Sequence, residues 1–345
     1  YTAVAYTAGI RSVFHRKKRS TVHYVHSNRK GDVMLKYVLK RLGYILVTLW
    51  VIVTCTFFMM KNLPGTPFDA ERFSIMTPQQ QERVLEMYGL NDSLPMQYVK
   101  YIKNMLKGDL GTSFTYVNQD VSKVITGRLG PSALIGIQAV LIGLAIGLIL
   151  GILAAWKHNS GIDYFTMILA VLGVSVPNFV AAALLQYYIG LKWGVLPVGF
   201  WTGWNCSVLP SIALSFSATA MVARFMRTEM LDVLDQDYIV TARAKGLSQM
   251  KVLMRHAVRN SILPVVTILG PIVVNLMTGS LAVENIFSIP GIGSLFVDCI
   301  KANDYPVIMG ITIFYAAFYM LIVLLVDLAY SLIDPRIRLA KGKES

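Results

Sequence analysis

Residues 237–264 read DYIVTARAKGLSQMKVLMRHAVRNSILP, with five Lys or Arg among them, and they lie between two long apolar runs. A 345-residue chain with 55% hydrophobic and only 15% charged residues spends its cations at such borders, where a charged head can reach headgroups or water. Asp237 is placed to cap a short helix from Tyr238, since a carboxylate accepts the orphan amide protons at a helix start. Gly246 ends that helix, because glycine takes the left-handed conformation without a side-chain clash. A second helix starts near Ser248. In it Lys251, Arg255 and Arg259 recur every fourth residue as a cationic ridge, opposite Met250, Leu253, Ala257 and Ile262. Pro264 falls in the first turn of the following apolar run. Thr241, Ala242 and Ala244 offer a small face that a partner could approach closely. From these residues alone, two readings stay open: a basic loop held to anionic headgroups, or a docking surface.

Outward from this stretch, six apolar runs are long enough for the roughly 20 residues that a transmembrane helix needs. They are 42–60, 133–156, 164–191, 208–225, 262–283 and 307–333. Each is apolar around its whole circumference, and mean hydropathy is +0.55, so the chain reads as an all-α polytopic membrane protein. Lys and Arg placement sets the orientation. Cations precede the first run (Arg16, Lys17, Lys18, Arg19, Lys36, Lys40, Arg41), fill the 226–261 interval and follow the last run (Arg336, Arg338, Lys341, Lys343), while the opposite short loops hold Lys192 and Lys301. Both termini are therefore expected on the cytoplasmic side of the membrane. The net charge of +13 is spread over membrane borders and forms no single patch, which argues against nucleic-acid binding.

The expected organisation has five parts. Residues 1–33 form a basic N-terminal extension, either disordered or not native, and 34–60 a retained first transmembrane helix. Residues 61–130 form an extracytoplasmic helical cap, 131–333 a five-helix core with its cytoplasmic coupling segment at 228–261, and 334–345 a tail. In the cap, Thr77-Pro78 starts a helix that Gly89 stops, and a second helix carries Met96, Val99, Ile102, Met105 and Leu106 on one face. Gly143, Gly147 and Gly151 recur every four residues, a small-residue face for close helix packing. Pro177 should kink the third span. Pro290, Gly291 and Gly293 force a tight reversal after the fifth.

Ionisable and polar groups inside spans mark candidate pathway positions. Asp327, near the cytoplasmic end of the last span, reads either as lining the inner mouth or as a border partner for Arg224 or Arg227. Asn178 and Asn275, with Gln138 and Gln186, are further pathway candidates, and Pro290 and Gly291 are candidate gate residues. Glu284 marks the outer end of the fifth span. The chain lacks H-E-x-x-H, G-x-S-x-G and a glycine-rich phosphate loop, so no catalytic, metal or cofactor residues are expected in it. Cys206 and Cys299 fall on the same outer side, and sequence alone leaves their pairing open.

The order TARAKG, followed sixteen residues after its glycine by Ile262-Leu263-Pro264, resembles the EAA loop of ABC-importer membrane subunits. FFMMKNLPGTPF (57–68), GLNDSLPMQY (89–98), GDLGTSF (108–114), SIPGIGSLF (288–296) and DPRIR (334–338) extend the resemblance across most of 34–338, toward the B-type subunit of the oligopeptide/dipeptide permease family. Thr241 stands where the general EAA pattern has Glu. The resemblance implies the type I importer fold and six transmembrane helices. It implies that Asp237, Tyr238, Thr241, Ala242, Arg243, Ala244, Lys245, Gly246 and Leu247 contact a separate ATPase. It implies a second related permease subunit, two cytosolic ATP-binding subunits that hold ATP and Mg, and an external binding protein that delivers oligopeptides. ATP binding would move the coupling helices and switch the pathway from inward-facing to outward-facing, and hydrolysis would reset it. Dipeptides, or a metal chelate such as nickel, fit the same machinery. A secondary transporter or channel is the rival class, and it would be expected to show buried proton-relay carboxylates or paired broken helices, whereas this chain's span centres are nearly free of carboxylates and it has the coupling stretch instead.

Overall fold

In the computed structural model the described residues are 38–333, apart from 63–72, 74, 88, 117 and 278–279. The expected N-terminal extension and C-terminal tail lie outside them. The helices are α1 (Val38–Lys61), α2 (Pro78–Met87), α3 (Leu94–Met105), α4 (Val121–Trp156), α5 (Gly161–Ser175), α6 (Asn178–Leu185), α7 (Val208–Leu234), α8 (Asp237–Ala244), α9 (Gln249–Val252), α10 (Arg259–Met277), α11 (Leu281–Ile286), α12 (Ile292–Lys301) and α13 (Tyr305–Ile333). The chain through Ile52 forms one unit and the rest, from Val53, a second. Within the first unit α1 exposes Leu42, Leu46, Val47 and Trp50, as suits a helix in lipid.

α7 is the centre of the second unit. About two thirds of its apolar window is buried, against a third or less for each of the other four long apolar helices. Its Leu209, Ala213, Leu214, Ala218, Val222, Met226 and Met230 join Ile135, Ala139 and Ala155 of α4 and Val265, Ile272 and Leu276 of α10 in one core. The expected glycine stripe makes this possible. A Cβ added at Gly143 would stand 2.8 Å from Ala218 Cβ, and one at Gly147 would stand 2.7 Å from Val222 Cβ and 2.9 Å from the Thr219 carbonyl. Lipid tails are as apolar as leucine, so helices associate through such close packing rather than by escaping water.

Three features depart from the expectations, each for a local reason. First, α4 begins at Val121, well before the expected span at 133, and carries Pro131 inside it. Its early turns put Val121, Val124 and Ile125 into a second core with Ile292, Leu295 and Cys299 of α12 and Tyr305, Val307, Ile308 and Ile311 of α13. Apolar contact beyond the bilayer thus prolongs the helix. Second, Pro177 does more than kink the third span. Val176 and Pro177 are extended, and α5 and the segment 178–192 meet at 101°. A residue before proline is driven out of the helical region, and Pro177 cannot donate to the preceding turn. Among the described residues, five helices are long and apolar enough to cross a membrane, or six if this bent pair is one span. Third, α9, the π-helical turn Leu253–Val258 and α10 run on as one helical stretch, so Pro264 lies within a helix rather than in its first turn.

The reversal after α11 closes around a carboxylate. Glu284 is buried, accepts the Ser132 hydroxyl proton at 2.8 Å, and accepts the Ser294 amide at 2.9 Å in the first turn of α12. Ser132 in turn accepts the Ile292 amide at 2.8 Å. The carboxylate serves α12 as a distant N-cap. A Cβ on Gly291 would fall on it, and one on Gly293 would stand 3.0 Å from Oε2. Gln186 ties the bent pair to the same region by donating to the Val198 and Ile286 carbonyls at 2.6 and 2.7 Å. At the cap, the fully buried Asp304 accepts the Ser113 hydroxyl proton and the Phe114 and Thr115 amides, which fastens the 113–115 turn beside α13. Cys206 and Cys299 are buried free thiols, so the possible disulfide is not formed.

Candidate functional site: an exposed helical elbow

The 237–264 stretch folds as a hairpin on the end of the bundle. α7 closes at Leu234, Gln236 is extended, and α8 starts at Asp237. Gln236 is therefore the N-cap residue, with no side-chain cap bond, and Asp237 is the first residue of the helix rather than its cap. Its charge still lies at the positive helix end. The chain turns at Gly246, whose φ is +75°, with its amide on the Arg243 carbonyl at 2.9 Å. Ser248 is extended and begins the return helix, as expected.

The hairpin has an inner and an outer surface. Ile239, Ala242 and Val252 are buried together, with Val233, Leu234 and Leu247 packed against them. The outer surface carries Asp237, Tyr238, Val240, Thr241, Arg243, Ala244, Lys245 and Gly246. The small face read from sequence is thus divided. Thr241 and Ala244 look outward, while Ala242 and Leu247 hold the elbow together. The cationic ridge is altered too. Lys251, Arg255 and Arg259 are exposed, but the π turn adds a residue to the repeat between them, and Met250 sits outside the apolar side with half its surface exposed.

The hairpin is anchored on a stem that the sequence did not announce. Arg227 grips Asp163 through two bonds, Nε to Oδ1 at 2.6 Å and Nη2 to Oδ2 at 2.8 Å. Oδ2 also takes the Asn159 amide at 3.0 Å and lies 3.1 Å from His158 Nδ1. Asp163 is buried, so this charge-assisted fork joins the start of α5 to α7 nearly three helical turns before the elbow helix. Arg227 is thereby committed to Asp163; the side chain of Asp327 lies outside the described residues. Ser261 donates to the Glu229 carbonyl at 3.2 Å, and Asn260 donates to the Tyr238 hydroxyl at 3.0 Å. The only sequence signal for Asp163 was a carboxylate bordering an apolar run, on the residue just before the expected span.

The structure gathers the nine elbow residues into one hairpin and leaves the pathway candidates on separate elements. Asn178 opens α6 after the break, partly exposed. Asn275 is exposed near the far end of α10. Gly291, which follows Pro290, packs on the Glu284 carboxylate with Gly293, so Gly291 has a packing reason for being glycine.

The family described as binding-protein-dependent transport system inner membrane component matches residues 147–339, and its N-terminal counterpart matches 34–130. The chain belongs to this family, as a multi-pass inner-membrane permease of the ABC type I importer fold. It is similar to the dipeptide transport system permease protein DppB of Lactococcus lactis subsp. cremoris, 46% identical over 89% of this chain and 100% of that protein. DppB of Bacillus subtilis is 43% identical over 89% and 99%. The oligopeptide transport system permease protein OppB of Salmonella typhimurium is 39% identical over 88% and 100%. A chain in the crystal structure of an amino acid ABC transporter with histidines overlays with a TM-score of 0.47 at 20% identity, covering 62% of this chain and 94% of that one.

Proposed function

We propose that this chain is the peptide-conducting permease subunit of an ATP-driven importer, coupled to a separate ATPase through the outer surface of the 237–247 hairpin. The observation that carries the coupling role is the division of the hairpin. Its inner residues are spent on its own packing, whereas Tyr238, Val240, Thr241 and Ala244 are exposed at the end of a stem locked by an ion pair. An elbow that must transmit a push needs both a free contact surface and a mount that does not yield. Asp237, Arg243 and Lys245 supply charges around that surface, Gly246 supplies the turn, and Ala242 and Leu247 act by holding its shape.

The reading includes oligopeptides handed over by an external binding protein, a second related permease subunit, and two cytosolic subunits that bind ATP and Mg. The orientation has both termini and the elbow in the cytoplasm. Dipeptides are the second substrate reading, supported by the two DppB relatives above. Ala244→Trp tests the coupling role, because Ala244 is exposed and a large ring there disturbs none of this chain's own packing. The substituted permease should reach the membrane in normal amount and still recruit binding protein, but lose ATP-driven peptide uptake and copurifying ATPase. Uptake at the unsubstituted rate would defeat the assignment. Comparing di-, tri- and pentapeptides as competitors in the same uptake assay separates the two substrate readings.

A further inference from the structure

One helix of the cap keeps an apolar face that the other described residues do not cover. On α3, Tyr98 and Tyr101 turn inward and Ile102 and Met105 are half-buried, while Met96, Val99 and Leu106 are 49%, 58% and 78% exposed. At 100° per residue Val99 and Leu106 share one side of the helix, and Lys103, Lys107 and Lys100 follow next to them around the circumference. The stripe therefore grades from apolar into basic, with the polar edge at Gln97 and Asn104 beyond.

The depth of this helix can be read from what it touches. Tyr98 Oη lies 2.7 Å from Thr54 Oγ1, and the Tyr98 ring packs against both Phe57 and Phe58, 5.4 and 5.7 Å from their centroids. Tyr101 is 5.8 Å from Phe57. Thr54 lies six residues inside the end of the α1 apolar run at Met60, about 9 Å along the axis at 1.5 Å per residue. The inner face of α3 therefore packs against the part of α1 that approaches the bilayer border. The four rings make an aromatic group of the kind enriched at that border, and Lys61 extends over the Phe57 ring at 5.9 Å to its centroid.

We propose that α3 lies in the membrane interface, with Val99 and Leu106 in the acyl boundary and Lys100, Lys103 and Lys107 against anionic lipid headgroups. Lipid fits where a water-facing cap would not, because a helix at this depth meets acyl chains beside it. The flanking lysines suit phosphate oxygens, as in helices that lie on membranes. Lys100 is shared with Asp92 at 2.5 Å, which leaves Lys103 and Lys107 as the principal headgroup contacts. The cap is thus anchored sideways to the bilayer and would not ride free above the permease.

The test uses the full chain, with the subunits that copurify with it, in nanodiscs of phosphatidylcholine and phosphatidylglycerol. Val99→Cys and Leu106→Cys, in a background with the three native cysteines replaced by Ser or Ala and transport retained, carry a nitroxide label. Both labels should relax more with oxygen than with a water-soluble nickel chelate, and a label at Asn104→Cys should show the reverse. Dominant nickel access at 99 and 106 overturns the proposal in favour of an aqueous face. Exclusion of both reagents overturns it in favour of a protein partner. As a second measurement, replacing Lys103 and Lys107 by Gln should abolish the rise in thermal stability that phosphatidylglycerol gives the unlabelled complex. An unchanged rise would overturn the headgroup contact.

Discussion

Gly147→Ala and Gly127→Ala place the same methyl group on the same helix, α4, with opposite expected results. At Gly147 the new Cβ would stand 2.7 Å from Val222 Cβ and 2.9 Å from the Thr219 carbonyl, whereas at Gly127 nothing lies within 4 Å. Alanine is favoured over glycine in a helix interior by about 0.8–1 kcal/mol, and both substitutions receive this gain. At Gly147 the opposing backbone belongs to α7, the most buried helix, and relief requires the two helices to part by several tenths of an ångström. A gap of 0.5–1 Å already forfeits about a quarter to a half of the dispersion well at each contact along the seam, and overpacking costs about 1–3 kcal/mol. The net expectation is a loss of about 1–2 kcal/mol for Gly147→Ala and a gain of about 0.5–1 kcal/mol for Gly127→Ala. Reversible unfolding of the purified permease by sodium dodecyl sulfate in mixed micelles, followed by circular dichroism, reads both. A Gly147→Ala midpoint at or above that of the unsubstituted chain, or equal shifts for the two variants, would refute the claim that close approach at this glycine holds α4 to α7.

Three further expectations follow from the same contacts. Asp163→Asn and Arg227→Gln should each destabilise the permease by about 3 kcal/mol, because each leaves a poorly hydrated charge without its partner, and the double variant should cost less than the sum in a double-mutant cycle. Gly246→Ala should cost about 1–2 kcal/mol through its left-handed φ alone, since no atom crowds the site, and Gly246→Asn should cost less, measured by the same unfolding midpoints. The Cys299 thiol is pushed up to about 12, chiefly by burial and then by the Asp304 and Asp298 charges. Thiolate is therefore scarce at neutral pH, and the thiol is also buried, so maleimide should label Cys299 only after denaturation, as read by mass spectrometry; labelling of the folded chain at the rate of an exposed cysteine would refute this.

Much of the elbow was legible because its determinants are local. Gly246 at the turn and Ser248 at the return helix each follow from a residue and its immediate chain, whereas the burial of Ala242, read from sequence as part of an outward small face, does not. The stem was not legible, because Asp163 and Arg227 are 64 residues apart and nothing in either neighbourhood names the other. The reversal around Glu284 is similar. Pro290, Gly291 and Gly293 announced a tight reversal, but the carboxylate that explains two of the glycines comes from the helix before it.

The sequence by itself determined that this is a helical membrane protein, where its apolar runs lie, which glycines pack, and where the basic hairpin interrupts them. Those properties depend on hydropathy, spacing and backbone preference, which act over one or two turns. Only the tertiary structure decided that Pro177 breaks its span by 101°, that α4 extends from Val121 to serve two cores, and that the small face of the elbow is divided between packing and exposure. These depend on which surfaces meet. In a chain whose helices are apolar all round, hydropathy does not single out the face that meets a neighbour. The choice falls to van der Waals fit and to a few buried polar bonds between distant residues.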